Sequence, residues 1–191
     1  MKPIWVLCFC LISLAVFGLK GSAGYSNTTN ASGTFLGKFR GKVVNNVDPL
    51  KLGRVLVRVP AVSESPLGWA LPCAPYGGKG VGMFAAPPVG ANVWVEFESG
   101  DPNLPIWTGC FWGKDEVPTM PSKQPDPSVK LFKTDYSLLQ IDDAARTVLL
   151  SVETKKGPRK IAIVDDGIVV TVGQAKFTIR SDGEIKTTGG K

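Results

Sequence analysis

The 191-residue chain contains no histidine. Without an imidazole, the Ser-His-Asp and Cys-His nucleophile systems are excluded, together with the usual general base and every histidine-bearing zinc or iron site. Cysteine is scarce too: Cys8, Cys10, Cys73 and Cys110 are the full set, and no two form a Cys-x-x-Cys pair. Cys8 and Cys10 lie in an apolar leader as small hydrophobes. Cys73 and Cys110 fall in separate strand segments, where they could pair as a disulfide in an oxidising compartment or stay as two buried free thiols. Beyond the first two dozen residues no long stretch carries apolar side chains at i, i+3, i+4 and i+7, so helices are expected to be short or absent. Nor is there a strong block of one charge sign. The formal net charge of +6 divides into +2 for residues 1–34, +1 for 35–127 (nine basic against eight acidic) and +3 for 128–191 (eleven against eight). Lys155-Lys156 and Arg159-Lys160 flank a Gly-Pro turn, as a solvated hairpin tip would, rather than forming a nucleic-acid patch.

What is abundant is punctuation. The chain has 22 glycines and 15 prolines spread along a sequence that is 43% hydrophobic, the composition of many short strands joined by turns. The clearest case is the C-terminal run Gly167–Val172, Ala175–Arg180 and Gly183–Thr188, where apolar and polar residues alternate at period two and turn residues recur about every eight positions. Strands with one apolar row and no helix to cover it must stack on each other or on other chains. Upstream, five strands are expected at Phe35–Val44, Gly53–Val59, Gly68–Ala74, Gly90–Glu98 and Leu104–Trp112. Five short antiparallel strands with a longer excursion before the fourth suit a small closed barrel of the oligonucleotide/oligosaccharide-binding (OB) kind. The fold class is therefore all-β: a five-stranded OB barrel followed by a β-helix or prism stem.

Residues 1–24 open with Lys2, run through the apolar stretch Ile4–Phe17 and end in small residues around Gly21–Gly24. That order is signal-like, and it is short for a membrane span; a retained anchor or an upstream start-site artefact are the other readings. Residues 25–34 read as a flexible linker, 35–112 as the barrel, 113–128 as a Pro-rich linker and 129–191 as the stem.

The string Gly41–Pro60, then Gly68-Trp-Ala70, then Pro87–Pro102 with its Phe97-Glu-Ser-Gly-Asp-Pro102, then Pro105–Gly109, resembles the barrel domain of the phage baseplate assembly protein V family and of VgrG-type spikes of contractile injection systems. The resemblance implies a structural role without catalysis: a central spike or needle that trimerises below a baseplate hub and pierces a target envelope on sheath contraction. It also implies that the stem is an intertwined trimeric β-helix. Its trimer core would then be Leu139, Ile141, Val148, Leu150, Ile161, Ile163, Ile168, Val170, Val172, Phe177, Ile179 and Ile185. Implied partners are a homotrimer, hub and wedge proteins, a PAAR-like tip protein and, transiently, the target-cell membrane, with no nucleic acid and no cofactor. Some family members hold an iron ion at the tip with histidines, which this chain lacks. The implied location is a phage tail baseplate or an injection particle assembled in the bacterial cytoplasm, although the signal-like leader leaves export open.

Within the barrel, Asp48, Arg54, Arg58, Glu96 and Asp101 are candidates for ion pairs. Trp69, Trp94, Trp107 and Trp112 are candidates for core or rim packing, and the loop Lys79–Met83 for contact with a hub. Two rival readings remain, a nucleic-acid- or ligand-binding OB module and an exported surface fibre. An enzyme would have to work with carboxylates alone, and the pairs Asp142-Asp143 and Asp165-Asp166 sit at turns, where aspartate caps the backbone.

Overall fold

A computed structural model describes residues 33–119 and 126–189, so the leader, residues 25–32 of the first linker and part of the second linker lie outside the described residues. The chain divides into two compact units, the first ending at Gly109 and the second starting at Cys110.

In the first unit the strands are β1 (Phe39–Asn45), β2 (Val55–Arg58), β3 (Trp69–Pro72), β4 (Gly77–Gly78), β5 (Val81–Gly82), β6 (Asn92–Phe97) and β7 (Pro105–Phe111), the last running two residues past the unit boundary. Strands β1, β2, β3, β7 and β6 close into a barrel in that order, while β4 and β5 form a separate two-stranded hairpin. Closure rests on β6 returning antiparallel to β1, with Phe39 opposite Val95 and Gly41 opposite Val93, and on a parallel pairing of β3 with β7. The connection from β3 to β6, which carries the β4–β5 hairpin, is the expected excursion before the fourth barrel strand.

The alternation in the sequence explains which side is inside. Phe39, Gly41 and Val43 of β1, Val55 and Val57 of β2 and Val93, Val95 and Phe97 of β6 face inward and are buried, while the residues between them are exposed or half-buried. β-Branched side chains fit this half-buried pleated surface. Gly41 is needed there because a Cβ would lie 2.9 Å from Val95 Cγ2. The rings of Phe35, Phe39 and Phe97 close one part of the core, with centroids 5.3–6.0 Å apart, within the range of favourable aromatic pairs.

The second unit carries β8 (Val129–Lys133), β9 (Ser137–Asp142), β10 (Thr147–Val152), β11 (Arg159–Val164), β12 (Gly167–Val172), β13 (Ala175–Arg180) and β14 (Ile185–Thr188). They form one seven-stranded sheet in which each strand pairs antiparallel with its neighbours in sequence. The turns follow their local chemistry. Asp142 accepts a hydrogen bond from the Ala145 amide, Thr154 donates to the Gly157 carbonyl, and Arg180 pairs with Asp166 and Glu184 across the turns it flanks. Asp142 and Asp166 are thus engaged as turn residues rather than gathered into a carboxylate pair.

The two units differ in one respect that matters for function. The cluster of fully buried apolar side chains among the described residues, Phe39 through Phe97, lies wholly in the barrel. In the sheet the buried residues are the polar Gln140, Asp142 and Ser151; Leu131, Leu138, Leu149, Val164 and Val169 are half-buried, as are Val148 and Val170, and most of the other large apolar side chains are exposed.

Candidate functional site

Two surfaces collect the residues singled out by the sequence. The first is a set of loops on the barrel. The turn after β1 is organised by the Asp48 carboxylate, which accepts hydrogen bonds from the backbone amides of Leu50, Leu52 and Arg54 and from Nε and Nη2 of Arg54, the last at 2.6 Å. The Asp48 side chain is 4% exposed and that of Arg54 18%. The Arg54 guanidinium holds the Asp48 carboxyl well below the usual carboxylate range; burial opposes this, and the three backbone amides add to it. In return Asp48 raises the pKa of Arg54. The same guanidinium lies 5.7 Å from the Trp69 ring centroid, a cation–π contact.

Around this pair the neighbouring segments are tied together. Trp107 Nε1 donates to the Gly53 carbonyl at 3.3 Å, Asn46 Nδ2 to the Pro87 carbonyl at 3.1 Å, and the Gly90 amide to the Val43 carbonyl at 2.9 Å. Gly53 adopts φ +76°, and a Cβ there would meet the Phe84 ring at 3.0 Å, so glycine suits both the turn and the ring. The second signature string forms a 3₁₀ turn at Glu98–Gly100, with Ser99 and Gly100 both at positive φ and Asp101 Oδ1 accepting from the Asn103 amide. The long motif is therefore mostly a list of backbone constraints. Of the other candidate charges, Glu96 pairs with Lys38 at 2.7 Å on the surface, and Arg58 is exposed on β2.

Trp107 packs against the core, Trp69 and Trp94 are half-buried and Trp112 is exposed. Cys73 and Cys110, for which the sequence left a disulfide and two buried thiols open, are both exposed and stand as free thiols. Enough of Cys110 is nevertheless covered for burial to push its pKa up. Strand alternation alone did not reveal the exposed apolar side chains of the barrel loops, among them Val47, Leu50, Met83, Phe84 and Val89. Their signal is large apolar residues within turn-rich segments.

The second surface is one face of the seven-stranded sheet. The ladders set Leu139 opposite Leu150, Ile141 opposite Val148, Val148 opposite Ile163, Leu150 opposite Ile161, Ile161 opposite Val170, Ile163 opposite Ile168, Ile168 opposite Ile179, Val170 opposite Phe177 and Ile179 opposite Ile185. Directly opposed residues point to the same face. With Val172 two residues beyond Val170 on β12 and so on the same side, all twelve residues expected to form a stem core lie on one face. Ten of them are exposed, and Val148 and Val170 are half-buried. Phe132, opposite Leu139, and Val152, opposite Ser137, belong to the same face and were not among the twelve; the period of two from Leu150 finds Val152, whereas only the pairing of β8 with β9 places Phe132 there.

No group of three or more His, Cys, Asp or Glu side chains that could hold a metal ion occurs among the described residues. None of their helices is long and apolar enough to cross a membrane.

A closed five-stranded barrel whose loops are held by an Asp–Arg pair, followed by a meander sheet, defines an OB barrel with an appended β domain. Residues 39–112 match the family described as the type VI secretion system/phage-baseplate injector OB domain. Among curated proteins the chain is similar to the type VI secretion system spike protein VgrG5 of Pseudomonas aeruginosa, 34% identical over 83 residues. That alignment covers 39% of this chain and 10% of VgrG5, so the chain spans about a tenth of the length of this relative.

Proposed function

We propose that the protein is a structural, non-catalytic component of the central spike of a phage-tail-like contractile injector, in which three copies associate through their stem sheets beneath a baseplate hub. The observation that carries this reading is the uncovered apolar face of the sheet. A sheet spanning Val129–Thr188 with no fully buried apolar side chain among its described residues has little to hold it folded alone. Covering a dozen large apolar side chains at about 1.5–3 kcal/mol each supplies on the order of tens of kcal/mol gross. The match of the barrel to the injector family supplies the context, and the engaged carboxylates offer no acid–base pair.

The ladders refine how three stems would join. Each strand from β9 to β13 already has both neighbours from its own chain. Three chains would therefore meet by sheet faces, as the sides of a prism, rather than by exchanging strands. The barrel would act as the adaptor to hub and wedge proteins through its exposed apolar loops, and a separate tip protein of the PAAR kind would cap the stem that meets the target membrane.

Molar mass by light scattering during size-exclusion chromatography, in buffer and in mild denaturant, tests the core of this reading. A trimer that persists in denaturant is the expected result. A folded monomer would overturn it.

A further inference from the structure

The apolar face of the sheet is not uniform. It consists of three rows running across the strands. One outer row is wholly β-branched: Ile141, Val148, Ile163, Ile168, Ile179 and Ile185 stand one after another from β9 to β14. The opposite outer row contains Ser137, Val152, Arg159, Val172 and Ala175, so it is lower and interrupted. Between that row and the central one lies an open groove of about 330 Å³, lined by Leu150, Val152, Arg159, Ile161, Val170 and Val172 and floored by the strands β10–β12. Its lining is almost wholly apolar, and the Arg159 guanidinium at its border is engaged by backbone carbonyls. Arg159 Nη1 donates to the carbonyls of Gly157 and Pro158, each at 3.0 Å.

We infer that the groove is the socket for the isoleucine ridge of a second copy of this chain, an inference that rests on the trimer proposed above. Ridge and groove lie on the same face at opposite ends of the same strands. Both repeat at the interstrand spacing of about 4.8 Å, so side chains of one can enter between side chains of the other. A closed ring of three requires a head-to-tail contact, in which two different patches meet. When three sheets surround an axis with their apolar faces inward, the central row faces the axis, and rotation brings one outer row of each copy against the other outer row of the next. The ridge thus meets the groove at all three corners, and no residue of the ridge meets its own equivalent.

Cysteine cross-linking of the full chain, with its four native cysteines replaced by serine, tests this. One variant carries Ile163→Cys in the ridge together with Val172→Cys in the groove, and a second uses Val152→Cys as the groove partner. Within one chain the first two sites lie about four residues apart along neighbouring strands, roughly 13 Å, too far for a bridge. Oxidation is expected to give covalent dimers and trimers on a non-reducing gel for at least one double variant, while each single variant runs as a monomer. Self-linking of the Ile163→Cys chain, or a trimeric mass with neither double variant cross-linked, would overturn the ridge-in-groove contact and leave the trimer standing. A monomeric mass for the unmodified chain would overturn the trimer and the contact together.

Discussion

Asp48 illustrates how much of the barrel's long motif serves the backbone. Its carboxylate satisfies three amides that the turn leaves without ladder partners and anchors Arg54 against Trp69. Because its folded pKa lies below the unfolded value of about 3.9, its contribution is fully present above that value and is lost as pH falls through the folded pKa. Thermal melts of wild type and Asp48→Asn between pH 7 and pH 2 should differ most at neutral pH, with the variant melting lower, and the gap should narrow as pH falls below about 4. A gap that stays constant across the range would show that Asp48 is not what ties the turn. Phe97 sits 7% exposed between Phe35 and Phe39. Phe97→Ala should destabilise the barrel by about 3–5 kcal/mol in urea titration. Gly100→Ala combines a strained positive φ with a collision against the Thr34 methyl, and should likewise lower the barrel's urea midpoint.

At the scale of elements, the inward rows of β1, β2 and β6 were legible because their alternation is strict, and the observed strands fall within or close to the expected segments. The β4–β5 hairpin falls in none of the five expected strands, since Gly-Gly and Val-Gly present no apolar row to count. In the sheet the alternation named one face without naming what covers it. Ile161→Glu places a charge at the centre of that face, where an assembled stem would bury it unpaired at a cost of several kcal/mol. The variant should elute as a monomer while the tryptophan fluorescence of the barrel stays native. Lys176→Glu, at an exposed position on the opposite face, should leave the molar mass unchanged.

For the whole molecule, coupling of stem folding to association makes stability depend on protein concentration. The melting temperature of the stem transition should rise with each tenfold increase in concentration, whereas the barrel transition should not move. A concentration-independent stem transition would show that the sheet holds together as a monomer. The Asp48–Arg54 turn, the positive-φ glycines and the period-two rows were set by the sequence itself, because turn chemistry and alternation act over a few residues. The tertiary structure alone decided that β3 lies parallel beside β7, that Phe84 rests on Gly53 and that the sheet leaves an isoleucine ridge and a groove on one face. Those outcomes depend on which distant segments share a ladder, and a local pattern of apolar and polar residues is the same whichever partner it meets.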